Sequence, residues 1–520
     1  MDLLLVDYPG SVPFSKMGWC LGYRYIVSLL RQNGYSAEIL YPLPLSDRGS
    51  VKRYLIGEIM RRQPRSIGFT AYDIQLTDLL AFILELRKAG CRSHITLGGL
   101  CVSFIPHEIL SKYRQVDSVV RGEGELSILD LAERVKRSQP LEGINGLCYR
   151  KDQKVVIEKP RALIDKLDDL PFPCKDQLDP SLNGSPLRYY SKSILMSASR
   201  GCYGKCSFCS IQAFFRACPG KMWRARSAEN VVQEIKSMMK VTGYDRVSFM
   251  DDNFMGPGRI GIKHAQDMAD GIINEKLKIQ FNFACRSNDI QADIFGKLKA
   301  AGLVAVTIGA ESASEGALKL YNKWVKPEDN YRAINILEKL GICTEIDFIF
   351  FNPLTTLQEI KQNLAFVDRV SKSKYAYLNK FNTFAQLQPL NGSPIIHKLK
   401  ELKLLKGDHF GYKIEYKDKR VGMIAKQINK IPVLSLYELI SMTQAHAGRN
   451  ADAKCNYMRE YGLHLSLFRL PELVGDLAKL LTVNKVSTNK KVSVVIREIE
   501  KEEKRLKAVI NEGFRDLSHT

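Results

Sequence analysis

The residues best placed to do chemistry are Cys202, Cys206 and Cys209, spaced C-x3-C-x2-C in the run ASRGCYGKCSFCS (198–210). Three thiolates from one tight loop can hold three irons of a [4Fe–4S] cluster and leave the fourth iron open to another ligand. A closed zinc site would need a fourth ligand, for which Cys218 is the nearest candidate. Glycines 201 and 204 and polar residues 205 and 207 interleave the trio, unlike a set of core cysteines. The other cysteines (20, 91, 101, 148, 174, 285, 343 and 455) have no ligand spacing and read as small buried hydrophobes. Cys218 and Cys285 fall near the expected rim of the fold, where a catalytic thiol is the alternative.

Something must carry that loop. From residue 193 short apolar runs alternate with helical patterns. Strands are expected at 193–197, 246–250, 280–284, 305–308, 345–350 and near 376–384. Helices are expected at 228–240, 260–275, 290–300 and 330–340. Six β/α units fit a partial (β/α)6 barrel of TIM type, whose working face is the rim at the carboxyl ends of its strands. The trio follows the first of these strands. The preceding 150 residues alternate likewise, with strands at 3–7, 36–40, 67–70, 95–97 and 116–120 and helices at 22–33 and 76–89. They predict a doubly wound, Rossmann-like parallel sheet with ligand loops around 8–10, 70–73, 98–103 and 122–125. The divisions read as domain 1–150, a linker 151–190 with a small hairpin and the proline-punctuated LDDLPFP, barrel 191–395, and a mainly helical, basic extension 396–520.

The chain has 520 residues, 45% hydrophobic and 26% charged, with a net charge of +21. This excludes a disordered tail and a small disulfide-stapled module. No run approaches the ~18 apolar residues of a membrane span. The start, MDLLLVDYPG, reads as a strand and loop rather than a secretory leader. A cytoplasmic protein without a transmembrane segment is expected. The positive charge is spread along the chain rather than gathered into a nucleic-acid-binding arm; it reads as a solvated positive surface, the alternative being a field that favours an anionic substrate, lipid headgroup or acidic partner.

The cysteine loop resembles that of the radical S-adenosylmethionine superfamily. Resemblance implies that the open iron chelates S-adenosylmethionine, that Phe208 lies near its adenine, and that cleavage yields a 5′-deoxyadenosyl radical. FMDDNF (249–254) takes the place of the segment binding the methionyl ammonium, through Asp251, Asp252 and Asn253. Arg286, in FACRSNDI, would meet the carboxylate. Gly309, Glu311 and Ser312, in IGAES, would approach the nucleoside. The plainer readings are a loop or cap cluster for the acidic segment and a surface ion pair for Arg286.

An α/β domain ahead of such a barrel resembles the cobalamin-binding domain of one large class in that superfamily, through LGYRYIVSLLRQNGYSAEIL, LGGLCVSFIPHEIL, VDSVVRGEGE and LDDLPFP. The cofactors implied are a [4Fe–4S] cluster on three cysteines, S-adenosylmethionine and cobalamin. Tyr8, Thr70, Tyr72, Gly98, Gly99, Ser103, Gly122 and Glu123 are the expected cobalamin contacts. No Asp-x-His-x-x-Gly loop is present, so no histidine is expected below the cobalt, and His94 and His107 read as ordinary residues. The class implies an oxygen-sensitive C-methyltransferase acting at an unactivated sp3 carbon, with methylcobalamin as methyl source. It would consume two S-adenosylmethionine, giving one S-adenosylhomocysteine and one 5′-deoxyadenosine. The rivals are rearrangement, ring formation or contraction, or oxidation on the same scaffold, and more remotely a cobalamin or redox sensor. The partners implied are a small-molecule substrate and an electron donor such as flavodoxin or ferredoxin.

Overall fold

The computed structural model describes residues 1–9, 20–42, 48–176, 193–378, 384–428 and 501. β1 (Leu3–Val6) has all four side chains buried, as expected of a central parallel strand covered on both faces. Around it β2 (Ala37–Leu40), β3 (Ser66–Thr70), β4 (His94–Gly98) and β5 (Ser118–Val120) pair in parallel, in the order β2-β1-β3-β4-β5. The order reverses between β1 and β3, and the crevice above such a reversal is where open α/β sheets bind ligands.

The hairpin β6 (Leu147–Lys151) and β7 (Lys154–Ile157) was expected in the linker. Instead it completes this sheet antiparallel to β5, so the sheet runs on to Ile157. It covers the unpaired backbone groups that β5 would otherwise present at an edge. The helix Arg48–Arg62 is also absent from the sequence reading. Its buried stripe is only Val51, Leu55 and Ile59 within a charged segment, too narrow to stand out.

The second sheet starts at β8 (Ile194–Met196). The short strands β9 (Ser199–Arg200) and β10 (Arg224–Ala225) follow and pair with each other, bracketing the cysteine loop. Then come β11 (Arg246–Phe249), β12 (Gln280–Arg286), β13 (Leu303–Glu311), β14 (Cys343–Phe348) and β15 (Ala376–Leu378). All are parallel and in sequential order from β8 to β15. Helices Ala228–Thr242, Gly258–Asn274, Ala292–Ala300, Pro327–Lys339 and Leu357–Ser371 cover them. Ser227 caps the first by accepting from the Asn230 N–H, and Thr356 with Glu359 forms a capping box on the last. Phenylalanines 249, 254, 281, 283 and 295 fill the space between the strands and these helices.

After the barrel the chain was expected to be helical. Its described part instead includes a hairpin, β16 (Leu405–Asp408) and β17 (Gly411–Ile414), between helices Ile395–Glu401 and Lys419–Ile428. These strands are mostly exposed and lack the apolar alternation that would reveal them. The hairpin turns back onto the first domain, where Thr77 donates to the Phe410 carbonyl and Asn391 N–H donates to Asp73. Residues 429–500 and 502–520 of the expected extension lie outside the described residues. No described helix is long and apolar enough to cross a membrane.

Candidate functional site

The cysteine loop leaves β9 at Gly201, with φ of 87°. A side chain there would put its Cβ 1.8 Å from the Met222 carbonyl oxygen, so the turn admits only glycine. Asp251 and Asp252, just past β11, hold the same turn. Asp251 accepts from the Ala198 N–H at 3.1 Å and the Ser199 hydroxyl at 2.5 Å, and Asp252 accepts from the Gly201 N–H at 3.1 Å. Burial raises the Asp251 carboxyl to about 7. Asp251 is buried, whereas Asp252 is exposed. Asn253 reaches Asp289 at 3.3 Å and lies 3.9 Å from the Cys202 sulfur.

The loop brings the three thiols into mutual electrostatic contact. Burial pushes Cys209 up to about 12, with Cys206, Asp252 and Cys202 adding to the rise, and burial likewise raises Cys202. Such a set ionises only against positive charge. A cluster of irons supplies it, and the donor set fits one. Arg286 adds to it, donating to the Cys206 sulfur at 3.3 Å and lying over the Tyr203 ring. Cys218 sits elsewhere, against Gly122 and near Arg121, Glu123 and Arg224, so it is not a fourth member.

Two residues near this loop carry no sequence signal. Lys323 donates to Glu311 at 2.9 Å, both buried, and lies over the Phe208 ring. Asp289 accepts from the Tyr203 hydroxyl and from Arg286 N–H. Glu311 has φ of 64° at a bulge of β13, a conformation that persists only when surrounding contacts over-determine it. Gly309 makes room for this pair, since a Cβ there would lie 2.6 Å from Glu311 Oε1 and 2.8 Å from Lys323 Nζ. Gly309→Ala should therefore lower stability by about 1–3 kcal/mol, read from denaturant midpoints. A neutral result would mean that the pair moves freely. Phe208 packs edge-on to Tyr321. Ser312 is buried, with its hydroxyl hydrogen-bonded to Asn363 at 3.1 Å.

Between the two sheets lies a cavity of about 280 Å³. Its walls include Thr70, Gly98, Gly99, Gly122 and Glu123 from the first sheet's loops, with Tyr23 and Tyr25 from the helix Leu21–Gln32. The barrel contributes Ser197, Arg200, Phe214 and Phe215. A Cβ on Gly22 or Gly98 would meet only open space, so the backbone forms a cradle that a large ligand can approach. The site fits a cobalamin tail at this switch point.

Three expected contacts lie off its wall. Tyr8 stacks on Phe82 and donates to Asp78, Ser103 sits behind Gly99 as a donor to its carbonyl, and Tyr72 stands on the loop beyond β3. Glu123 faces the cavity, but its carboxylate is taken by Arg200 at 3.1 Å, Arg224 at 2.9 Å and the Ile164 N–H at 2.8 Å. His94 lies at the opposite end of β4 beside Ser118, and His107 lies beside Ser111.

Residues 196–367 match the radical SAM superfamily and residues 20–132 match the B12 binding domain. The chain thus joins a B12 binding domain to a radical S-adenosylmethionine domain. An uncharacterised methyltransferase of Pyrococcus horikoshii is 28% identical over 71% of this chain and 78% of its own length. The 4′-phospho-dehydrooxetanocin synthase of Priestia megaterium is 24% identical over 62% of this chain and only 45% of its own length. The fold is shared with the cobalamin-dependent radical enzyme OxsB, solved with aqua-cobalamin and S-adenosylmethionine. Its TM-score is 0.70 at 20% identity, over 99% of this chain and 80% of the other. The enzyme thus places its two family-matched regions on either side of one cavity.

Proposed function

We propose that the enzyme transfers a methyl group to an unactivated sp3 carbon of a small molecule, with Cys202, Cys206 and Cys209 holding the cluster. The observation that carries this reading is the shared wall of the inter-sheet cavity. Arg200 lines it and is followed directly by Gly201 and Cys202. Bound there, the cluster and cobalamin supply one-electron cleavage of a sulfonium and a carried methyl group.

The chain's own part is to hold and shield. Asp252, exposed beside the cysteine loop, can accept from the methionyl ammonium while it fixes the Gly201 turn. Arg286 and Lys323 place two cations where a carboxylate would be drawn. Phe208, Phe214 and Phe215 keep water from the reacting carbon. An external one-electron donor is required, and a reducing compartment such as the cytoplasm suits the thiol ligands.

A ring-forming or rearranging reaction without methyl transfer is the second reading, favoured by the similarity to the synthase. Incubation with methyl-labelled S-adenosylmethionine separates the two. The expected product carries the label, with one S-adenosylhomocysteine and one 5′-deoxyadenosine released per turnover. An unlabelled product formed with 5′-deoxyadenosine alone would establish the second reading.

A further inference from the structure

The segment joining helices Glu315–Leu320 and Pro327–Lys339 lies across the outside of the cysteine loop. Ser207 N–H donates to the Tyr321 carbonyl at 2.7 Å, and Asn322 Nδ2 donates to the Lys205 carbonyl at 2.9 Å. Burial alternates along it. Tyr321, Lys323 and Val325 point inward, whereas Asn322, Trp324 and Lys326 are exposed.

Asn322 and Trp324 adopt left-handed backbone, φ 50° and 56°, which non-glycine residues reach only at a cost of about 1–2 kcal/mol. The Trp324 indole is 58% exposed to solvent, with the Lys205 ammonium 4.9 Å from its ring centre. Among the described residues no carboxylate forms an ion pair with Lys205 or Lys326. Lys205 is the residue before Cys206, so this aromatic, basic patch is surface that the cysteine loop itself presents.

We propose that Lys205, Trp324 and Lys326 form the docking point for an acidic protein that carries single electrons on a flavin or an iron–sulfur group. The proposal rests on the reading of the cysteine loop as a metal centre. Tunnelling favours the shortest path, and the patch is one peptide unit from a metal ligand. The chain's charge of +21 draws an acidic partner and rejects a basic one. The exposed indole supplies the desolvated anchor that a transient interface needs. At this surface the carrier is oxidised by one electron and the metal centre reduced by one. No bond is made or broken and no proton moves.

The test is anaerobic stopped-flow reduction of the iron-loaded full chain, by a reduced acidic flavodoxin-type carrier and separately by dithionite. Trp324→Ala, and Lys205→Gln combined with Lys326→Gln, should each slow reduction by the carrier at least about tenfold at low salt. Dithionite reduction and iron content should stay at wild-type levels, and rising salt should slow the wild type with the carrier alone. Wild-type carrier rates in both variants would overturn the proposal. So would an equal loss with carrier and dithionite, which would mean a damaged loop. A wild-type chain that holds no iron, or that dithionite cannot reduce, fails at the metal centre, and iron analysis tells that result apart.

Discussion

Serine in place of Cys202, Cys206 or Cys209 should yield protein that folds, carries little or no iron, and cleaves no S-adenosylmethionine. The three thiols share one loop, where burial raises Cys202 and Cys209 and the neighbouring sulfurs add to the rise. Only a polynuclear cation can pay for three thiolates there, and serine hydroxyls are far harder to ionise. Arg286 at Cys206 Sγ compensates one charge, not three. Cys218→Ser is the control and should retain full iron, because Cys218 faces Gly122 and the first domain. Iron and labile sulfide per chain, with 5′-deoxyadenosine formed after reduction, provide the measurement. Full iron in any of the three loop variants would refute the assignment.

Glu123→Ala should destabilise the junction between the two sheets by about 3–5 kcal/mol, the range for removing one partner of a buried charge network. Glu123 receives Arg200 and Arg224; Arg200 keeps Glu125 at 2.6 Å, but the Arg224 side chain is 2% exposed, so the loss strands that cation away from water. Burial opposes ionisation of this carboxyl, but Arg200 and Arg224 outweigh it and hold it below its ordinary range. A lowered carboxyl contributes stability that is present at neutral pH and fades as the solution is acidified through its folded value. Denaturant midpoints and protease resistance of the cleft between the sheets should both fall, and Glu123→Gln should fall less. A loss under about 1 kcal/mol would show that water already reaches the guanidinium groups. Because Arg200 precedes the cysteine loop, iron loading should drop in the same variant.

Much of this site was readable in the chain. The cysteine spacing points to the proposed polynuclear centre because ligand type and loop length are local properties. The alternation of apolar runs and helical stripes finds the two parallel sheets because periodicity is local too. The motifs FMDDNF, FACRSNDI and IGAES were found at the strand ends where they stand. Their roles were less legible. Asp251 binds the backbone of the cysteine loop, Ser312 ties to Asn363, and Glu311 and Gly309 accommodate Lys323. The β6–β7 hairpin could not be assigned to a sheet, since membership depends on which edge lies open.

Local order along the chain therefore decides which elements form and where the three thiols fall. Tertiary structure alone decides which charges meet. Glu123 and Arg200 are 77 residues apart, and Arg286 lies 80 residues from Cys206. Pairing over such separations is set by how two sheets pack, because electrostatic partners are chosen by distance in space and by exclusion of water.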